Sequence, residues 1–169
     1  MNHYKSWSGL RGQLCDRLCE PLRGRIDYFL TRYHEVHDTY GRTAIRFDGK
    51  ELVSFSWVEM REQENDLYDR WKEDGSWDVN NPALRSKWEE NATFSDMNFL
   101  QAATDFLQMP ISEALGSENP LIRVFALLDK RVGRRTLLRI RESERYESEP
   151  AWVKQFYDLR TAESERKEK

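Results

Sequence analysis

Apolar residues recur along the chain with two different periods, and the change of period separates a β-rich front from a helical back. Trp7, Leu10, Leu14, Leu18 and Leu22 fall at helical spacing. Ser6 or Ser8 can cap that run and Pro21 opposes its continuation, so the spacing predicts a helix over 7–20. Gly9 and Gly12 weaken its first turns. The period then drops to two, as it does along a half-buried strand. Residues 25–33 alternate with Ile26, Tyr28 and Leu30 on one face. Residues 42–47 alternate through Thr43, Ile45 and Phe47, and residues 52–58 through Val53, Phe55 and Trp57. Asp48-Gly49 between the last two runs is a two-residue hairpin signal, because both positions tolerate positive φ. The first link, 34–41, is longer and polar. The pattern predicts a three-stranded antiparallel meander.

From Glu59 the helical period returns. Leu67, Tyr68 and Trp71 mark the apolar side of a charged helix that stops near Gly75. Asn81-Pro82 joins a capping residue to a first-turn proline and opens a short helix to about Glu90. Ser95 caps a helix through Phe99, Ala102, Ala103, Phe106 and Leu107 that ends before Pro110. Asn119-Pro120 repeats the start signal. Residues 121–128 are apolar on nearly every side, which places that helix at the centre of the core, with Gly133 as its breaker. A further helix carries Leu137, Leu138 and Ile140. Ser148 opens the last one, with Trp152, Phe156 and Leu159 on one face. Residues 162–169 read as a charged, disordered tail. The expectation is one α+β domain over 1–161, with a β-rich half at 1–75 and a helical half at 82–160. Helix 7–20 covers one face of the sheet, and a C-terminal helical bundle packs nearby.

Composition supports a folded chain. Of 169 residues, 38% are hydrophobic, and six Trp, seven Tyr and eight Phe supply large buried area. That apolar content is too high for a disordered chain even though 34% of residues are charged. A net charge of −3 rules out a polyanion-binding protein by bulk charge alone, so any nucleic-acid surface must be local. The start of the chain has no apolar run and no cleavage signal, and the longest apolar run, 124–128, is too short to span a bilayer. The expectation is therefore no membrane association. Cys15 and Cys19 read as reduced core thiols on one helix, because a disulfide at that spacing is strained. Reduced cysteines fit a cytoplasmic location.

One segment stands out electrostatically. Residues 121–141 hold seven Lys or Arg and a single acid, Asp129. Arg123, Lys130, Arg131, Arg134, Arg135, Arg139 and Arg141 can form one positive surface, and guanidinium forks suit phosphate and carboxylate. Residues 59–90 are oppositely charged, with ten acids against five bases. The competing reading is that the two regions pair inside the fold, helped by surface pairs Arg139–Glu142 and Arg141–Glu144. Trp77, in the loop 75–81, is the best-placed surface anchor for a partner, whereas Trp57 and Trp71 read as core.

Other chemistry is sparse. His34, His37 and Asp38 carry metal-ligand atoms, but no second Cys or His pair completes a site, and a polar loop explains them. The acidic pairs (Glu62 and Glu64, Asp66 and Asp69) lie on a solvated helix, not in a cleft. The sequence has no glycine-rich phosphate loop, no GxSxG elbow and no HExxH. No cofactor, metal or catalytic residue is expected.

Three stretches carry a resemblance: Trp7-Ser8-Gly9-Leu10, Asp48-Gly49-Lys50-Glu51, and the run from Leu128 through Arg131, Gly133 and Arg135 to Leu137. Together they resemble a family of small bacterial cytosolic proteins with no assigned activity. The resemblance implies a bacterial source and transfers no function. Helix, three antiparallel strands and helix is also the order of the double-stranded-RNA-binding domain. That fold begins its second helix with basic residues. Here residues 57–64 are acidic, so the phosphate contact is missing. The sequence therefore points to a small intracellular, non-catalytic protein-binding domain whose contact residues are Lys130, Arg131, Arg134, Arg135, Arg139, Arg141 and Trp77. Nucleic-acid binding through 130–141 is the second reading.

Overall fold

The computed structural model describes residues 6–32, 41–56, 58–60 and 88–166. The expected order of a helix, a three-stranded antiparallel sheet and a series of helices is what it shows. Helix α1, Trp7–Arg17, starts where the Ser6 hydroxyl accepts from the Gly9 amide at 3.2 Å. It stops three residues short of the predicted end at 20. Leu18 leaves the helix to form an antiparallel bridge with Asp129. The Cys19 amide donates to the Leu128 carbonyl at 2.9 Å, and the Lys130 amide donates to the Arg17 carbonyl at 2.7 Å. A 3-10 turn, Glu20–Leu22, with Pro21 in its first turn, then leads into the sheet. Cys19 therefore lies outside the helix, buried, while Cys15 is half-buried; both are free thiols.

Strands β1 (Ile26–Arg32), β2 (Gly41–Phe47) and β3 (Lys50–Ser56) form the meander in the order β1-β2-β3. Tyr28 pairs with Ile45, which pairs in turn with Val53, so the core face predicted from period two is the face that is buried. A register shift between Ile45 and Arg46 places one extra residue on β3. The hairpin turn has φ of 49° at Asp48 and 80° at Gly49, the primed geometry that matches strand twist. Arg25 holds that turn from outside. Its Nε and Nη2 donate to the Asp48 carboxylate at 3.0 and 2.7 Å, and its guanidinium stacks 4.4 Å from the Phe47 ring centroid.

Two helices, not one, cover the core face. Besides α1, helix α2 (Asp96–Gln108) packs across β2 and β3. Ser95 and Asn98 close a reciprocal capping box at its start. Gly41 lies so close that an added Cβ sits 2.3 Å from Asp96 Oδ2, which ties the first turn of α2 to the start of β2. Phe55, Tyr28, Phe99 and Phe125 stack edge-to-face or tilted at 5.3–6.5 Å between sheet and helices.

Helix α3 (Ile111–Gly116) is short. Helix α4 (Pro120–Leu128) begins with Asn119 Oδ1 accepting from the Leu121 amide at 3.0 Å, and every residue except Arg123 is buried. It is the central element expected, packed by α2, α3 and the last helix. Its end comes at Asp129 rather than Gly133, because the bridge to Leu18 pulls the backbone into an extended conformation. Gly133 instead precedes α5 (Arg134–Arg141). A separate short helix, α6 (Glu144–Ser148), intervenes before α7 (Ala151–Arg166), so Ser148 closes one helix and does not open the last. Val153, Phe156 and Tyr157 bury the inner side of α7.

Helix α7 continues past residue 161, into the stretch predicted as tail. Glu163 is 5% exposed and forms an ion pair with Arg25, the residue that holds the hairpin. A buried carboxylate with a guanidinium partner keeps the last turn in place.

Candidate functional site

The basic segment is divided by the fold, not presented as one surface. Arg123 is the inward extreme. Its Nε and Nη2 donate to Glu149 Oε1 and Oε2 at 2.7 and 2.6 Å, and its Nη1 donates to the carbonyls of Ser117 and Glu118, both at 2.8 Å. The Glu149 side chain is 1% exposed. Arg123 therefore links α4 to the loops on either side of it and has little left to offer a ligand. Burial, followed by the Glu149 charge, pushes the nearby Tyr157 hydroxyl up to about 12.

Arg131 is also committed. Its Nη2 donates to Asp129 Oδ2 at 2.7 Å, and its own amide donates to Asp129 Oδ1 at the same distance. The Asp129 side chain is fully buried. The hydrogen bond donated to Asp129 holds the guanidinium pKa above its ordinary value. Arg141 pairs with Asp158 at 3.2 Å across α5 and α7, not with Glu144, and lies 5.9 Å from the Tyr146 ring centroid. Internal pairing is thus a real part of the segment's role. Its carboxylate partners include Glu149, Asp129 and Asp158. Most of 59–90 and Trp77 lie outside the described residues, as do Trp57, Trp71, His34, His37 and Asp38.

What remains is carried by α5 and the loop before it. Leu137 is buried beneath α5, while Arg134, Arg135, Leu138 and Arg139 are exposed. Leu138 is 38% exposed, one of three large exposed apolar side chains among the described residues. Arg135 and Arg139 form no ion pair among the described residues. The helix starts at Gly133 without a side-chain cap, and no acid lies in its first turn. Arg134 and Arg135 thus occupy the end of the helix where the dipole disfavours cations.

Lys130 faces a different way. Its Nζ donates to the Asp16 carbonyl at 2.9 Å, and the residue lines an open groove of about 760 Å³ with Arg11, Cys15, Arg23, Ile26 and Asp27. Sequence reasoning missed this assembly, since its cations come from α1, the turn after the 3-10 helix and the loop after α4. A second recess, of about 390 Å³ between Met60, Trp88, Phe94 and Asn98, has Glu89 as its one ionisable side chain among the described residues. No group of three or more His, Cys, Asp or Glu among the described residues is placed to hold a metal ion. None of the described helices is long and apolar enough to cross a membrane.

The chain belongs to the SF0329 protein family, whose profile matches residues 6–161. The resemblance read from the three sequence stretches, to a family without an assigned activity, agrees with that membership. No curated protein and no solved structure matches the chain.

Proposed function

We propose that the chain is a small cytoplasmic, non-catalytic domain that binds an acidic segment of another protein through α5. The observation that carries this is the exposed Leu138 set among Arg134, Arg135 and Arg139 on one short helix. Phosphate contacts are made by cations and hydrogen-bond donors, so a phosphate backbone leaves the exposed Leu138 without a partner. An amphipathic acidic helix supplies both carboxylates for Arg135 and Arg139 and an apolar side chain for Leu138. Free thiols at Cys15 and Cys19 fit a reducing compartment.

The test uses a labelled synthetic helix with Glu on one face and Leu on the other, titrated by fluorescence anisotropy. Leu138→Ser is expected to weaken binding about fivefold, for a half-exposed leucine worth roughly 1 kcal/mol in the complex. Arg135→Ala with Arg139→Ala is expected to abolish measurable binding at moderate salt. Duplex DNA is the competing ligand. If DNA binds more tightly than the peptide, with a steep salt dependence and no response to Leu138→Ser, the nucleic-acid reading replaces this one. A native pull-down split into nuclease-treated and untreated halves then names the partner.

A further inference from the structure

We propose that the groove at the C-terminal end of α1 binds a small molecule that carries one carboxylate on an apolar body. Its volume of about 760 Å³ is within the range of small-ligand sites. Its walls come from residues between 11 and 27 and from Lys130, which lies 114 positions after Asp16, so the fold brings its last cation into place. Three cations reach it, Arg11, Arg23 and Lys130, against two carboxylates, Asp16 and Asp27. Asp27 is already engaged by Arg11, whose Nε donates to Asp27 Oδ1 at 3.1 Å and to the Tyr28 carbonyl at 3.0 Å.

The other two cations are each held by one contact that leaves donors over. Arg23 Nε donates to the Leu18 carbonyl at 3.2 Å, and among the described residues its two terminal nitrogens make no hydrogen bond. Lys130 uses one Nζ hydrogen on the Asp16 carbonyl. These contacts cap the last carbonyls of α1. With Nε on the Leu18 carbonyl, the two terminal nitrogens of Arg23 remain as an edge that fits a carboxylate with two parallel hydrogen bonds. The half-buried Cys15, backed by the almost fully buried Leu18 and Ile26, gives the groove its apolar side.

The charge balance selects the ligand. Three cations and two carboxylates leave one positive charge, which matches a monoanion. The groove also faces the negative end of the α1 dipole, which opposes any anion and a dianion about twice as strongly as a monoanion, so the two cations favour a single carboxylate over a phosphate dianion. Burial raises the Cys15 thiol above its ordinary value, which makes that side chain part of the wall and a slow nucleophile only.

Sodium hexanoate is the probe. Backbone-amide NMR of the full chain is expected to show saturable shifts at Leu18, Gly24, Ile26 and Lys130. Hexanamide, its neutral analogue, is expected to bind about tenfold more weakly, the size of one lost charge-assisted hydrogen bond. Arg23→Gln with Lys130→Gln is expected to lower hexanoate affinity at least as much, while Arg139→Gln leaves it unchanged. The wild-type chain offers a second reading that depends on no variant: saturating hexanoate slows alkylation of Cys15 by iodoacetamide. The proposal is overturned if hexanoate produces no saturable shift, if the double substitution leaves its affinity unchanged, or if inorganic phosphate binds more tightly than hexanoate.

Discussion

Replacing Arg123 by Met removes four hydrogen bonds at once, two to Glu149 and two to the Ser117 and Glu118 carbonyls. The methionine fills most of the space beside α4, so the cost is mainly electrostatic. Arg123 and Glu149 side chains are 11% and 1% exposed, so water cannot take over the contact. Breaking a buried pair by removing one partner costs about 3–5 kcal/mol, because the remaining charge is left without compensation. Against a total stability on the order of 10 kcal/mol, that loss is large. Urea denaturation followed by tryptophan fluorescence measures it directly, since Trp152 lies close to this layer on α7. The double variant Arg123→Met with Glu149→Leu separates charge from packing. Removing both charges is expected to recover most of the loss, since exchanging a buried pair for apolar residues is often near neutral. If Arg123→Met costs less than about 1 kcal/mol, an exposed pair's value, the structural role given to Arg123 is wrong. If the double variant is as unstable as the single, the carbonyl contacts, not the ion pair, carry the effect.

Further outcomes follow from other parts of the fold. Gly41→Ala is expected to cost about 1–3 kcal/mol in the same assay, because its Cβ meets Asp96 at 2.3 Å and helix or strand must shift. Hydrogen bonds from Arg25 lower the Asp48 pKa, and those from Arg42 lower that of Glu51. Because both folded values lie below the unfolded ones, the stability they contribute is complete above the ordinary carboxylate range and is lost as pH falls below about 4. Asp48→Asn is expected to flatten that part of a stability-against-pH curve, and an unchanged curve removes Arg25–Asp48 as the cause. Arg135→Glu is expected to stabilise the chain by about 0.3–1 kcal/mol, because an acid suits the start of α5, and at the same time to abolish binding of the acidic peptide. A destabilised Arg135→Glu variant shows that the arginine serves the fold.

Local signals were legible where the cause lies within a few residues. The Asp48-Gly49 turn, the Ser95 box and the Asn119-Pro120 start each depend on side chains adjacent to the backbone they direct. The apolar run at 121–128 had to be central because no side of it tolerates water. Several errors have distant causes. Helix α1 ends early because Leu18 bridges to Asp129, and the same bridge ends α4 before Gly133. The supposed tail is helical through Arg166 because Glu163 meets Arg25. The basic segment misled for the same reason: charge counting treats every arginine alike. Glu149 and Asp129 draw Arg123 and Arg131 inward, and only the fold sets how deeply those carboxylates are buried. Periodicity placed Leu137 and Leu138 together on an apolar helix, although the fold buries one and exposes the other.

The size of the remaining surface constrains the binding it can support. Helix α5 has eight residues and is about 12 Å long. A stable protein interface buries about 1,200–2,000 Å² in total, more than one face of so short a helix supplies. Contacts confined to Arg135, Leu138 and Arg139 therefore make a weak, salt-sensitive complex whose formation is helped by charge. A tight complex needs a second patch. Among the described residues, the loop 129–133 links α5 to the groove at the end of α1, with Lys130 lining that groove. A partner with an acidic helix for α5 and a carboxylate for Arg23 spans both. In that case hexanoate competes with the partner, whereas with α5 alone hexanoate leaves partner affinity unchanged.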